Sequence, residues 1–457
     1  MPATPIPAQR VTLMLEGERA RFLERNPKSA ALAREASAHW LRGVPMHWMV
    51  DWGTPFPLFV AEAKGVTLSD VDAHEHIDFC LGDTGAMFGH SPAIVADAIK
   101  RQADRGLTTM LPGPDTAVVG RLLAKRFGLP FWQVTATASD ANRSVIRWAR
   151  GATGRKKLLV MNGCYHGAVD DTFVALENRR ARNRPGLVGE VRDVTEHTEL
   201  VEFNDVAALE RALVPEDVAL VLAEPVMTNC GMVLPDPGYH EALRRLARKY
   251  GTLLAIDETH TISSGPGGYT GTHKLEPDFF VLGKPIAGGV AAAVYGWSGA
   301  VNEQIESYLA KRERGYSGIG TTLSGNALQL ASIRAVLESI LTEDVYARAM
   351  PEAERLEAGI AALIAHHELP WQVVRVGLRA EIVSAPELPR NGTEALTHAH
   401  SEVEHALHLY CLNRGVVITP FHNMMLICPE TRSEHVEQLL SVLDGGMSAL
   451  SGKPEFL

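Results

Sequence analysis

Three stretches of the chain run from apolar residues into groups able to do chemistry: TATASDAN at 135–142, LLAIDETH at 253–260 and VLGKPIAGG at 281–289. Lys284 stands among apolar residues and glycines, with no acid beside it in the sequence. Lysine is almost never fully buried unless its charge is paired. Its ammonium therefore reaches solvent, meets an anion, or is held in covalent form. Asp257 closes an apolar run, where a carboxylate is costly unless it meets a cation or a proton donor. Thr137, Ala138 and Ser139 fall between a strand and a helix, where hydroxyls and backbone N–H groups can receive an anion. Each stretch also has a plain alternative. Ser139 or Asp140 could be an N-cap, Asp257 a cap on the next element, and Lys284 a snorkelling side chain.

Taken with the Tyr165–His166 pair of NGCYHG, these groups make one chemical request. Pyridoxal 5'-phosphate needs a lysine for its Schiff base, an acid for its ring nitrogen and donors for its phosphate. Two competing motifs fail. GPGGYTG at 265–271 lacks GxGxxG spacing and does not obviously open a helix. Gly283-Lys284 is no phosphate loop, because Pro285 follows where Ser or Thr is required and Asp278 replaces the first glycine.

The elements that must hold these residues follow from periodicity. Apolar runs at 131–137, 157–162, 218–226, 252–257 and 279–283 read as strands, separated by helical patterns such as 139–154 and 236–251. Strands and helices in alternation predict an α/β fold with a parallel-rich sheet covered on both faces. Ligands in such sheets bind at the carboxyl ends of strands, where the unusual residues fall. A long helix is expected from Ser324 to Leu341, and helical character from Arg10 to Leu41 with a break at Asn26-Pro27. The expected division is 1–90 as an N-terminal segment and part of a small domain, 91–330 as the large domain and 331–457 as the C-terminal small domain.

At 457 residues, two domains are the natural expectation. The net charge of −10 is spread along the chain and no basic stripe stands out, which argues against a nucleic-acid partner. Arg179, Arg180, Arg182 and Arg184 read as a solvated loop in an otherwise ordinary composition that opens on a proline-rich leader. Five scattered cysteines with no CxxC pair predict reduced thiols, no zinc site and a cytoplasmic setting. No apolar run approaches the roughly 18 residues that a membrane span needs.

These motifs, in this order, resemble a class III (fold type I) pyridoxal-phosphate-dependent aminotransferase of the glutamate-1-semialdehyde aminomutase-like branch. The resemblance spans about residues 45–440. It implies that Asp257, Glu258 and Thr259 correspond to the family's Asp-Glu-Val strand end, and Lys284 to its Schiff-base lysine. Thr137-Ala138-Ser139-Asp140-Ala141 stands for its phosphate turn, and Tyr165 is carried over as the residue stacked on the cofactor ring. Glu224 and Asn229 match its Glu-Pro strand end and the stretch after it. Thr322 is implied to reach the phosphate of a neighbouring subunit, making a homodimer with shared active sites. His260 is implied to lie near the cofactor's phenolic oxygen.

The substrate side departs from the pattern. Where the aminomutases carry a carboxylate-gripping arginine, this chain has Trp48 or Met49, and where β-phenylalanine-type aminotransferases carry a second one near the C-terminal strand it has Phe421 and His422. Trp48, Trp52, Phe421 and Met424 suggest an apolar pocket. Arg379 is either a substitute cation or a surface arginine at a strand end. The expectation is therefore a ping-pong aminotransferase working through Lys284 and Asp257, with a small-molecule amino donor and carbonyl acceptor. A glutamate-1-semialdehyde 2,1-aminomutase-type isomerase, a racemase or epimerase, and a non-enzymatic paralogue are the alternatives.

Overall fold

The computed structural model describes residues 6–178, 180–190, 192–313 and 315–456. Arg179 and most of the proline-rich leader lie outside the described residues. The chain divides into two compact units. One is built from residues 1–92, 344–388 and 398–457, the other from 93–343 and 389–397. The cut therefore falls after Glu343 and not after 330. The reason is the helix Ala327–Ser339, which packs against the helix Ala93–Ala103 and so stays with the larger unit.

The larger unit is organised by a seven-stranded sheet. Its strands are β1 (Phe131–Thr135), β2 (Lys157–Met161), β3 (Thr198–Val201), β4 (Val218–Ala223), β5 (Leu253–Asp257), β6 (Phe279–Leu282) and β7 (Ala293–Trp297). Their order across the sheet is β1-β7-β6-β5-β4-β2-β3. β7 runs antiparallel to both neighbours and the other pairs are parallel. Every residue of β4, β5, β6 and β7 is buried, as expected when helices cover both faces. The arginines at 180 and 182 lie not in a loop but on the strand Arg180–Asn183, which pairs with Val174–Glu177 beside this sheet.

Alternation along these strands feeds two cores. Leu220, Leu222, Ala255 and Val281 join the cluster on one face, whereas Val221, Ala223, Leu254 and Ile256 join the other. Each fully buried aliphatic side chain contributes roughly 1.5–3 kcal/mol. That clamp on the central strands fixes where their carboxyl ends lie. Asp257 closes β5, and Thr137, Tyr165, Glu224 and Lys284 follow β1, β2, β4 and β6 within a few residues, all at the carboxyl ends of the strands.

The smaller unit holds a four-stranded sheet, in which the short strand Val416–Val417 pairs with Glu75–Asp78. It also holds the hairpin Gln372–Val376 with Arg379–Val383, joined by Met425–Leu426. The break at Asn26-Pro27 separates the helices Ala8–Arg25 and Pro27–Ala36. Proline at the first position of the second helix starts it without a missing hydrogen bond.

Candidate active site

Asp257 closes β5 and is 5% exposed. Its Oδ2 accepts from Asn142 Nδ2 at 2.8 Å and faces His166 Nδ1 at 2.9 Å. Its Oδ1 accepts from Thr259, through the backbone N–H at 3.1 Å and Oγ1 at 2.6 Å. Burial alone would raise the carboxyl's pKa, but His166, Thr259 and Asn142 outweigh it and hold the group below the usual range. For the wholly buried His166, burial opposes the charge. Cys164 and the Asp257 carboxylate overcome that and push its pKa up to about 10. Asp257 is thus a buried carboxylate kept in its charged form, able to face a cationic N–H.

Lys284 follows β6 and opens a short 3-10 turn, Lys284–Ala287, at φ 42°. A positive φ is uncommon for a residue with a side chain and is held only where packing over-determines it. Gly283 explains the packing: a Cβ there would sit 2.8 Å from that of Ala138, so the backbone just after β6 passes directly against Ala138. The half-buried Nζ lies 2.9 Å from His260 Nε2. Gly283 N–H also donates to Thr259 Oγ1 at 3.2 Å, which links the Lys284 turn to the Asp257 carboxylate through one hydroxyl.

The helix Ala138–Thr153 begins at Thr137, whose Oγ1 accepts from the backbone N–H of Asp140 at 3.2 Å. Thr137 is therefore the N-cap, not Ser139 or Asp140. Ser139 acts elsewhere. Its Oγ accepts from Ala168 N–H at 2.9 Å and ties the helix start to the loop carrying Tyr165. That loop is held from its other side by Glu224. The Glu224 carboxylate accepts from Tyr165 N–H at 3.3 Å and from the Thr228 hydroxyl at 2.7 Å, and burial raises its pKa. Asn229 is exposed just beyond, and Thr322 is exposed on the loop before Asn326.

The chain matches the family model "Aminotransferase class-III" over residues 49–445. It belongs to the class-III aminotransferase family. It is 33% identical over 401 residues to a glutamate-1-semialdehyde 2,1-aminomutase of Desulfosudis oleivorans, covering 86% of this chain and 92% of that protein. Among solved structures, a glutamate-1-semialdehyde-aminomutase from Pseudomonas aeruginosa PAO1 superposes with a TM-score of 0.95. It shares 49% identity over 98% of this chain and 100% of that one. A Lys→Ala variant of the Pseudomonas protein has been solved in complex with PMP. A β-phenylalanine aminotransferase from Variovorax paradoxus, 23% identical with a TM-score of 0.85 over 96% and 99% of the two chains, shares the fold.

This class-III enzyme depends on pyridoxal phosphate, and its residues fit that group. The fit rests on a buried carboxylate held charged, an amine at the edge of the same sheet, and the first turn of a 16-residue helix. The first four N–H groups of any helix lack intrahelical partners, and Thr137 Oγ1 takes up only that of Asp140. Those of Ala138 and Ser139 have no acceptor among the described residues, as an anion cup requires.

The residues expected to meet substrate belong to the smaller unit. There Trp48 and Phe421 stand with ring centroids 6.3 Å apart, and Trp52 meets His408 edge-on at 5.3 Å. His422 sits at φ 58°, its N–H given to Glu404 at 3.1 Å. Arg379 is not a surface arginine. It is 3% exposed and gives Nε and a terminal nitrogen to Glu381 Oε1 at 2.9 and 2.8 Å, with Asp83 at 3.6 Å. Its charge is largely answered by the chain's own acids.

Two participants are not evident from the sequence. Asn142 reads there only as the end of a turn, yet it is fully buried and grips both Asp257 and the His166 carbonyl. Its signal is a polar residue on the apolar face of a helix. The run GPGGYTG does open a short helix, Gly268–His273, and its Tyr269 and Thr270 amides go to the buried Glu258.

Proposed function

We propose that this enzyme is an aminomutase of the glutamate-1-semialdehyde 2,1 type, moving an amino group between neighbouring carbons of one small substrate. The observation carrying this reading is the 49% identity over 98% of the chain to the Pseudomonas aminomutase, joined by further aminomutases at 30–33%. It displaces the expectation of an aminotransferase with separate donor and acceptor.

When bound, the cofactor supplies an electron-withdrawing pyridinium that stabilises negative charge on a substrate carbon. The chain's own residues do the rest. The Asp257 carboxylate would hold the ring N–H, and Thr137, Ala138 and Ser139 would cradle the phosphate. Tyr165, on a loop fixed by Glu224 with Asn229 beyond it, would cover the ring. Lys284 Nζ would be the amine that holds the cofactor's aldehyde carbon and, once released from it, the base that moves a proton. His260 Nε2, 2.9 Å away, is the group with which Nζ can exchange that proton.

The working unit is a homodimer. Met110 and Leu111 are 75% and 76% exposed and line, with Thr322, an open recess of about 750 Å³. Exposed apolar residues around a concave surface suit burial against a second copy. Thr322 then serves the neighbouring site.

A specific observation favours a second reading, transamination of a less acidic substrate. The resemblance puts Trp48 or Met49 where the aminomutases carry an arginine, and Arg379 is tied to Glu381. The two readings separate on stoichiometry. Glutamate 1-semialdehyde supplied alone should be converted to its amino-shifted isomer, with the loaded cofactor regenerated each turnover. Failure to isomerise, together with release of a carbonyl product that stops until an acceptor is added, would replace the mutase with the transaminase.

A further inference from the structure

We infer that a basic cavity on the larger unit binds a small polyphosphorylated anion, independently of the amino-transfer reaction. The cavity measures about 720 Å³, within the range of small-molecule sites, and none of the candidate active-site residues lines it. The helix Ala138–Thr153 turns Arg143, Arg147 and Arg150 toward it at spacings of four and three residues. Arg155 and Lys156 follow from the turn after the helix, and Arg192 and Arg312 from two further segments. Asp170 and Asp171 are the acids that line it. Like charges at such helical spacings are destabilising, each pair by roughly 0.2–0.5 kcal/mol. In a chain of net charge −10 this concentration of cations calls for a reason.

Structural duties use up part of it. Arg155 gives a nitrogen to the carbonyls of Val218 and Tyr250 at 3.2 and 2.7 Å. Arg150 pairs with Asp171 at 3.0 Å, and Arg143 reaches the Ala168 carbonyl at 2.9 Å. Arg192 is only loosely held, 3.8 Å from the same Asp171. The side chains of Arg147 and Lys156 make no ion pair or hydrogen bond among the described residues, although both line the cavity. Their charges remain to meet a ligand, with the loosely paired Arg192 beside them.

Guanidinium groups favour phosphate because their planar fork matches two of its oxygens. Tyr316, 57% exposed and edge-on to Trp148 at 5.4 Å, and Tyr308 add an aromatic rim. A nucleoside di- or triphosphate matches the volume, the charge and the rim together.

The test is calorimetry on the cofactor-loaded dimer, so that the catalytic phosphate cup is already filled. The probes are inorganic tripolyphosphate, ATP and adenosine at low salt. One site per chain is expected for the first two, weakening with added salt, and none for adenosine. Charge reversal at two lining positions, Arg147→Glu with Lys156→Glu, should weaken both anions at least tenfold, with cofactor absorbance and turnover unchanged. Equal affinity for ATP and tripolyphosphate would still support the site and confine recognition to the phosphates. Absence of heat with either anion at millimolar concentration overturns the inference, as does unaltered binding in the doubly reversed variant.

Discussion

The charge on His166 can be tested through the pH dependence of stability. His166→Gln keeps a hydrogen-bond donor near Asp257 Oδ2 and removes the positive charge. In the native protein the imidazole is raised from 6.5 to about 10, so the folded state binds its proton more tightly than the unfolded chain. Each tenfold change in proton affinity is about 1.4 kcal/mol, which makes the span worth about 5 kcal/mol. Breaking a buried ion pair independently suggests about 3–5 kcal/mol. The sign is definite. A raised pKa stabilises fully below about pH 6.5, and the contribution declines as the pH rises toward about 10, where the folded protein loses the proton too. Urea unfolding of the cofactor-free protein and of the variant, at intervals from about pH 6 to 10.5, measures the gap. It should be widest at the acid end and close to whatever packing difference remains once the folded imidazole has lost its proton. A gap that stays constant across that range would mean that folding leaves the proton affinity of His166 unchanged and that it meets Asp257 without a gain in charge–charge attraction.

Lys284→Ala should lower turnover by roughly 10²–10⁴-fold or more while the protein still retains cofactor through dialysis. His260→Phe should cost roughly 10²-fold in turnover with cofactor affinity little changed, if its Nε2 exchanges a proton with Lys284 Nζ. Thr137→Ala removes the N-cap of the helix, and a loss of about 1 kcal/mol in urea unfolding is expected, with faster cofactor release. Glu258→Gln puts an amide donor where the Thr261 hydroxyl and the Tyr269 and Thr270 N–H groups all need an acceptor. It should lower stability by about 1–3 kcal/mol at neutral pH, read from the same unfolding curves.

The inner strands β2, β4, β5 and β6 are legible in the sequence because they are almost wholly buried and read as unbroken apolar runs, and β1 because it is rich in aromatic and β-branched residues. β3 and β7 are not, for different physical reasons. Thr198–Val201 is a short strand at the sheet's edge, with two partly exposed positions that break the run. Ala293–Trp297 is wholly buried, but it begins in an alanine- and glycine-rich stretch that carries little strand signal. The helix Glu343–His366 is hidden as well, since Pro351 inside it reads as a stop. At the site, Asp257 and Lys284 are conspicuous because a charged residue closing an apolar run is costly wherever it occurs. His166 is visible only as part of NGCYHG, and its partnership with Asp257 joins strand ends 91 residues apart.

Arg379 teaches the converse. Its partner Glu381 lies two residues away on the same strand, and side chains at i and i+2 share one face. The pairing is therefore written locally in GLRAE, and a buried guanidinium without such a partner would carry a heavy desolvation cost. An arginine already answered by Glu381 and Asp83 has less attraction left for a substrate carboxylate than an uncompensated one. If this enzyme is an aminomutase for an acidic substrate, Glu381→Gln should then tighten that substrate's binding by freeing the Arg379 charge, at some expense in stability. If the substrate carries no carboxylate near this position, the same substitution should leave KM unchanged and show only the loss of stability.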